Sequence, residues 1–101
     1  MTLEIRLSQR ARRDIQAITD YTFETWGKEQ AARYIGGLTE VFQNIGETPG
    51  IGRPRPTIGE GMRSLRYRSH LIFYQPQTTF ITIAAVLHQS QDIQKNLGQK
   101  R

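Results

Sequence analysis

Two long stretches with a helical apolar period, separated by one glycine, constrain the fold of this chain more than any other feature. The first runs from about Gln9 to Trp26, and the second runs from Lys28 to near Glu47. Apolar or small side chains recur every three or four residues along each stripe: Ala11, Ile15, Ile18, Thr22 and Trp26, then Ala31, Ile35, Leu38, Phe42 and Ile45. Because Gly27 leaves almost no linker, the two predicted helices must fold back as an antiparallel hairpin whose stripes face a sheet.

Short runs with a period of two predict the strands of that sheet. Residues 3–7 alternate apolar and polar side chains, and Ser8 is a suitable N-cap between this strand and the first helix. Three further β-rich runs are separated by short turns, which predicts an antiparallel meander: residues 65–67, 70–74 and 80–87. Residues 48–61 hold three of the four prolines, a composition that opposes both helix and strand and predicts a loop.

These elements predict an α+β fold in a single domain that covers residues 1–101. The N-terminal strand is followed by the helical hairpin, which packs on one face of a small antiparallel sheet. The C-terminal three-stranded meander completes that sheet. The polar tail, residues 89–101, is expected to form a short irregular or helical end.

The composition argues against several classes of protein. The chain has no cysteine, which removes disulfide scaffolds and thiolate sites and favours a cytoplasmic location. No apolar run approaches the ~20 residues that span a bilayer, so no membrane association is expected. His70 and His88 are the only histidines, and neither has a second ligand at helical spacing. We therefore predict no metal and no other cofactor.

Arginine dominates the charge of the chain. Fourteen basic residues face nine acidic ones, the net charge is +5, and eleven of the basic residues are arginine. Five of them lie within sixteen residues that contain Glu60 as the one acid: Arg53, Arg55, Arg63, Arg66 and Arg68. Strand geometry predicts that Arg66 and Arg68 share a face, unless a turn at Arg68 breaks the alternation. At least two of these arginines are expected to converge as a clamp for an anion or for a partner's carboxylates. The alternative is an ordinary solvated sheet face.

His88 is the candidate for acid or base chemistry, because it stands at the end of the last predicted strand. There it could meet Arg66, Tyr67 or Tyr74 on neighbouring strands, an arrangement suited to RNA cleavage. The simpler interpretation is a strand-end histidine bonded to the backbone, since acid and base catalysis normally needs a second titratable partner.

An ordered series of short motifs covers nearly the whole chain: Trp26-Gly27, Gly52-Arg53, Gly61-Met62-Arg63, His70-Leu71-Ile72-Phe73-Tyr74 and Leu87-His88. In this combination and spacing the sequence resembles the ParE toxins of the ParE/RelE superfamily. The resemblance implies the toxin of a bacterial toxin–antitoxin pair, which arrests growth by poisoning DNA gyrase and is neutralised by an acidic ParD-like antitoxin. RelE-like relatives share the fold but cleave messenger RNA in the ribosome, so fold alone does not choose between the two activities.

The leading expectation is therefore a non-enzymatic gyrase inhibitor that acts by binding, without sequence-specific DNA binding by the toxin alone. The expected target-binding residues are Arg63, Arg66, His88 and Asp92. The expected antitoxin-binding residues are Ile18, Trp26, Tyr34, Arg53 and Arg68. One alternative is a ribosome-dependent endoribonuclease that uses His88, Arg66 and Tyr74. Another is an inactive family member that only binds antitoxin, because Ala85 and Gln89-Ser90 depart from the family pattern.

Overall fold

The computed structural model describes residues 2–97. Its elements follow in the order β1 (Glu4–Leu7), α1 (Gln9–Trp26), α2 (Lys28–Glu47), a 3-10 turn (Pro49–Ile51), β2 (Arg53–Pro54), β3 (Arg63–Tyr67), β4 (His70–Pro76), β5 (Phe80–His88) and α3 (Ile93–Leu97). The predicted helical hairpin and C-terminal meander are both confirmed. The short α3 lies within the polar tail, of which residues 98–101 are outside the described residues.

The helical hairpin forms where local signals place it. The Ser8 hydroxyl accepts a hydrogen bond from the amide of Ala11, so it caps the start of α1. Gly27 ends α1 with a φ of 94°, a backbone conformation that glycine adopts at little cost, and α2 begins at the next residue. A one-residue link between two helices of similar length forces them to run antiparallel.

The five strands form one sheet in the order β1-β5-β4-β3-β2. The meander pairs are antiparallel, whereas β1 runs parallel to β5, with Glu4 opposite Phe80 and Leu7 opposite Ile83. Parallel neighbours need a long crossover, and the hairpin with the three strands β2, β3 and β4 supplies it. Composition argued against any strand in residues 48–61, but β2 forms there. Its proline is tolerated because β2 lies at the edge of the sheet.

The sheet has two differently covered faces. The hairpin face packs under α1 and α2, and its buried sheet residues are Ile72, Tyr74, Ile81, Ile83 and Val86. The opposite face, here called the loop face, buries Phe73, Ala85 and Leu87 beneath Ile58 of the loop, with α3 packed beside them. The prediction that the hairpin covers one face is therefore correct.

The predicted core position of Trp26 is wrong, because its side chain is 69% exposed. Fifteen residues at 3.6 per turn place Trp26 about 60° around the helix from Ala11. Ala11 and Thr22 are the buried residues of α1. The stripe of residues spaced three or four apart turns slowly around the helix, so at the last turn it no longer faces the sheet. The end of α1 thus presents a large aromatic side chain to solvent.

Candidate functional site

A cleft of about 680 Å³ opens between the helical hairpin and the turn end of the sheet. Ile18, Tyr21 and Trp26 contribute its α1 wall, and Tyr34 contributes the α2 wall. The sheet side is formed by the β3–β4 turn and by the end of β5. No carboxylate and no lysine of the described residues lines this cleft.

Two histidines form the floor of the cleft on the sheet side. His70 on β4 and His88 on β5 are directly opposite in register, so their side chains project from the same face. Their rings meet edge to face with centroids 5.3 Å apart. The hydroxyl of Tyr34 bonds Nδ1 of His70, which connects α2 to this floor. The floor is thus a row of aromatic rings held in place by the sheet.

Tyr67 extends the row onto β3. Its ring lies 4.9 Å from that of Tyr34, and its hydroxyl donates a 2.8 Å hydrogen bond to the Tyr34 carbonyl. Gly37 makes this approach possible, because a Cβ at that position would overlap the Tyr67 hydroxyl. The glycine in the middle of α2 therefore has a structural reason.

The surroundings of His70 favour its neutral ring. Burial lowers the pKa of His70, the neighbouring His88 lowers it further, and Asp14 acts in the opposite direction. Burial raises the pKa of Tyr34, so its hydroxyl stays protonated in the bond with Nδ1 of His70. Nδ1 of His88 accepts from the Ser90 amide. The Nδ1 atoms of both rings are therefore held by hydrogen bonds, to Tyr34 in His70 and to Ser90 in His88.

Positive charge lines the rim of the cleft. Arg33 of α2 and Arg68 of the β3–β4 turn both face it. Arg68 has a φ of 52°, and its guanidinium lies 5.8 Å from the centre of the Tyr67 ring. Neither arginine forms an ion pair within residues 2–97. The rim can therefore accept a partner's carboxylates.

Four of the five expected antitoxin-binding residues line this one cleft, namely Ile18, Trp26, Tyr34 and Arg68. Arg53 does not, because it lies on the edge strand β2, opposite Ser64. His88, expected on the target-binding surface, lines the cleft as well. The two surfaces therefore meet at His88.

The other expected target-binding residues have separate roles. Nη1 of Arg63 donates to the carbonyls of Gly50 and Gly52, so this arginine braces the loop. Asp92 caps α3 by accepting from the Lys95 amide. Arg66 donates a 2.7 Å hydrogen bond to Oε1 of Gln89. Arg66 therefore reaches the segment that follows β5, to which Asp92 belongs.

The prediction that Arg66 and Arg68 share a face is wrong. Arg66 is opposite Leu71, which packs on the loop face, whereas Arg68 borders the cleft on the hairpin face. The physical reason is the turn at Arg68, whose left-handed backbone interrupts the alternation of the strand.

The expected meeting of Tyr74 and His88 is also wrong. Tyr74 is opposite Arg63 and Ile83, at the other end of β4 from His70. It is fully buried, donates to the Pro49 carbonyl and accepts from the Gly52 amide. Its hydroxyl therefore holds the loop and lies away from the cleft.

Sequence reasoning missed the role of His70. Its partner in register is His88, and the two-residue turn between β3 and β4 already placed it beside Tyr67. Predicting the β4–β5 register would have brought the two histidines together. A β-bulge between Phe73 and Tyr74 shifts that register, which is why spacing alone did not reveal the pair.

Within residues 2–97, no three histidine, cysteine or carboxylate side chains are grouped as metal ligands. None of the helices in that part of the chain is long and apolar enough to cross a bilayer.

Comparisons with known proteins agree on one family. The model of the ParE toxin of the type II toxin–antitoxin system parDE matches residues 5–93. Toxin ParE1 of Caulobacter vibrioides is 39% identical over 93 residues, which cover 92% of this chain and 96% of that protein. The chromosomal ParDE system of P. aeruginosa has a chain with a TM-score of 0.71 at 20% identity, covering 86% of this chain and 96% of that one.

The fold is shared more widely. A chain of the Mycobacterium tuberculosis RelBE2 toxin–antitoxin complex superposes with a TM-score of 0.65 at 22% identity, covering 87% of this chain and 99% of that one. At this level of identity the likeness concerns the fold and leaves the activity to be argued from the site.

Proposed function

Because the chain belongs to the ParE toxin family of type II toxin–antitoxin systems, we propose that it inhibits DNA gyrase by binding and that a cognate acidic antitoxin neutralises it. The site of action would be the cytoplasm. The activity would require no cofactor, since binding alone would block the target.

The exposed aromatic wall of the cleft is the observation that carries this proposal. Tyr21 is 65% exposed and Trp26 is 69% exposed, and both line the cleft. Large exposed aromatic side chains are the residues that anchor protein–protein interfaces. A cleft with these walls is suited to receiving a side chain or helix of another protein.

The charge of the cleft supports an acidic partner. Arg33 and Arg68 stand at its rim, and no carboxylate among the described lining residues neutralises them. An acidic antitoxin segment with an apolar anchor would fill the cleft and pair with both arginines. Its binding should weaken as salt concentration rises, because the rim charges are exposed to solvent.

The surface proposed to act on gyrase lies at the end of β5. His88 is exposed there, and the bond between Arg66 and Gln89 holds an arginine beside the following segment. Since His88 also lines the cleft, an antitoxin in the cleft would reach the edge of this surface. Neutralisation would then follow from direct overlap.

A second candidate function has one specific observation in its favour. His70 and His88 face each other 5.3 Å apart, which supplies the second titratable group that a lone histidine lacked. Two imidazoles beside Arg68 could act as base and acid in RNA cleavage, as the ribosome-dependent alternative requires. Tyr74 has no part in this version, because it is buried elsewhere.

One pair of assays separates these functions. Purified toxin is added to gyrase in a DNA supercoiling assay and, from the same preparation, to translating ribosomes with messenger RNA. Gyrase inhibition with intact RNA would support the proposal, and antitoxin should reverse it. Cleaved RNA with normal supercoiling would select the nuclease. Antitoxin binding without either activity would identify an inactive family member.

A further inference from the structure

The positive charge of this protein is concentrated in its second half. Residues 1–47 contain six basic and seven acidic residues, whereas residues 48–101 contain eight basic and two acidic residues. The first half is therefore close to neutral. Residues 48–88, which build β2 to β5, hold five arginines and one acid, so they carry most of the excess. A field with this asymmetry orients the molecule toward a polyanion.

Three arginines of the second half share the loop face. Arg53 is opposite Ser64, and Arg66 is two residues further along β3 on the same side. Arg55 bonds the Ser64 hydroxyl, and its guanidinium lies 5.7 Å from the centre of the Phe73 ring on that face. Arg53, Arg55 and Arg66 are named here the loop-face arginine cluster.

The cluster is available to a ligand. Arg53 and Arg66 are exposed, and Arg55 is half-buried. The ion pairs found within residues 2–97 join Arg6 to Glu4 and Arg10 to Asp14, so none of the three is neutralised by a described carboxylate. Contacts with Ser64 and Gln89 restrain Arg55 and Arg66, which lowers the entropy lost on binding.

The two faces of the molecule are suited to different kinds of partner. The exposed aromatic residues Tyr21, Phe23 and Trp26 all lie on α1, on the hairpin side. Protein partners are anchored by such residues, whereas nucleic-acid backbones are bound by surfaces that are polar and strongly positive. The loop-face arginine cluster offers guanidinium groups, which are donors to phosphate oxygens.

We propose that the loop-face arginine cluster binds the phosphate backbone of duplex DNA without sequence specificity. Guanidinium groups two residues apart on a strand are about 7 Å apart along it, which lets neighbouring arginines engage separate phosphates. The identity of this DNA rests on the proposed function: if the toxin inhibits gyrase, the bound duplex would be the DNA segment that gyrase holds. The cleft stays free for the antitoxin.

The test is fluorescence anisotropy of a short labelled duplex of mixed sequence with purified toxin and no gyrase. Engagement of three phosphates predicts a slope of about −2 to −3 for log K against log salt. The double variant Arg53→Gln/Arg66→Gln should weaken binding about tenfold and reduce that slope by about two. Both residues are exposed, so the fold should survive.

A matched control removes the same charge from the other side of the molecule. Arg12 and Arg13 are exposed on α1, and Arg12→Gln/Arg13→Gln should leave DNA affinity within about twofold of the parent. Equal weakening by both double variants would overturn the proposal, because net charge alone would then explain binding. Equal competition by polyglutamate of matched charge would also overturn it, since the surface would then not distinguish phosphate from carboxylate.

The outcome is independent of the gyrase assay. Absence of DNA binding would remove the phosphate site while leaving gyrase inhibition as measured in the supercoiling reaction. Conversely, the toxin could bind duplex DNA through the cluster and leave supercoiling unchanged. That result would support the phosphate site and contradict gyrase as the target.

Discussion

The hydroxyl of Tyr34 on α2 is hydrogen-bonded to Nδ1 of His70 on β4, which ties the helical hairpin to the floor of the cleft. This bond joins residues 36 positions apart in the chain. Because the hairpin and the sheet each fold from local signals, such bonds decide how the walls of the cleft are set relative to its floor.

Replacing Tyr34 by phenylalanine should remove this tie while keeping the ring that packs against Tyr67. We expect a loss of about 1 kcal/mol in the free energy of unfolding, measured by urea denaturation. The NMR titration of His70 should also shift, because its ring loses this hydrogen-bond partner. Tyr21→Phe, at a residue that is 65% exposed, is the control and should change neither quantity.

The pH dependence of stability should carry the signature of His70. Its pKa is lowered in the folded protein, first by burial and then by His88, so the unfolded chain binds more protons just below the ordinary histidine pKa. Its stabilising contribution is therefore complete above the unfolded pKa and is lost as pH falls through the folded pKa. Urea denaturation between about pH 7.5 and 5.5 should show this decline.

The variant His70→Gln isolates that contribution. The decline over the same pH range should become shallower, because one group with a lowered pKa has been removed. An unchanged pH profile would assign the decline to other groups and contradict the role of His70. His88→Gln should have a smaller effect of the same sign, since His88 is the second cause of the shift.

Two adjacent glycines of α2 should respond oppositely to alanine. Gly36 has open space where a Cβ would stand, so Gly36→Ala should stabilise the protein by about 0.5–1 kcal/mol through helix propensity. A Cβ on Gly37 would overlap the Tyr67 hydroxyl, which is bonded to the Tyr34 carbonyl. Gly37→Ala should therefore destabilise by about 1–3 kcal/mol.

Thermal unfolding of the two variants against the parent measures the difference directly. A common sign for both would show that the close approach of Tyr67 is not what requires Gly37. Partial recovery of stability in Gly37→Ala/Tyr67→Phe would show that it is, because this change removes the nearest overlapping atom and leaves the ring carbon Cζ at 2.9 Å.

The sequence predicts the parts of this structure that depend on residues close together in the chain, and it does not predict contacts between distant residues. The hairpin follows from neighbouring residues, since Ser8 and Gly27 set the helix ends and the apolar period sets the buried stripes. The parallel pairing of β1 with β5 joins residues 76 positions apart, and no local signal specifies it. Trp26 shows the same limit within one helix, because the position of the sheet below it decides which turns are covered.

The residues of the candidate site were likewise predicted where a local pattern marks them and missed where a distant contact does. Ile18, Trp26 and Tyr34 were recognised because each belongs to a periodic helix, and they do line one cleft. His70 was missed because its importance comes from a partner across the sheet, in a register shifted by a bulge. Arg66 and Arg68 were expected together, and one left-handed residue in the turn separates them.

The proposed antitoxin cleft makes a prediction about two aromatic residues of α1 that differ in position and little in exposure. Trp26 is 69% exposed and lines the cleft, whereas Phe23 is 55% exposed and does not. Both Trp26→Ala and Phe23→Ala should change unfolding stability by less than about 0.5 kcal/mol, because neither side chain is part of the core.

Antitoxin affinity should separate them. Trp26→Ala should weaken binding by about 2 kcal/mol or more, as expected for a large aromatic anchor, and titration calorimetry with the cognate antitoxin would measure it. Phe23→Ala should leave affinity close to that of the parent. The comparison removes general surface hydrophobicity as an explanation, because both variants lose an exposed aromatic ring from the same helix. Equal losses would place the antitoxin along α1 as a whole, and no loss in Trp26→Ala would place it outside the cleft.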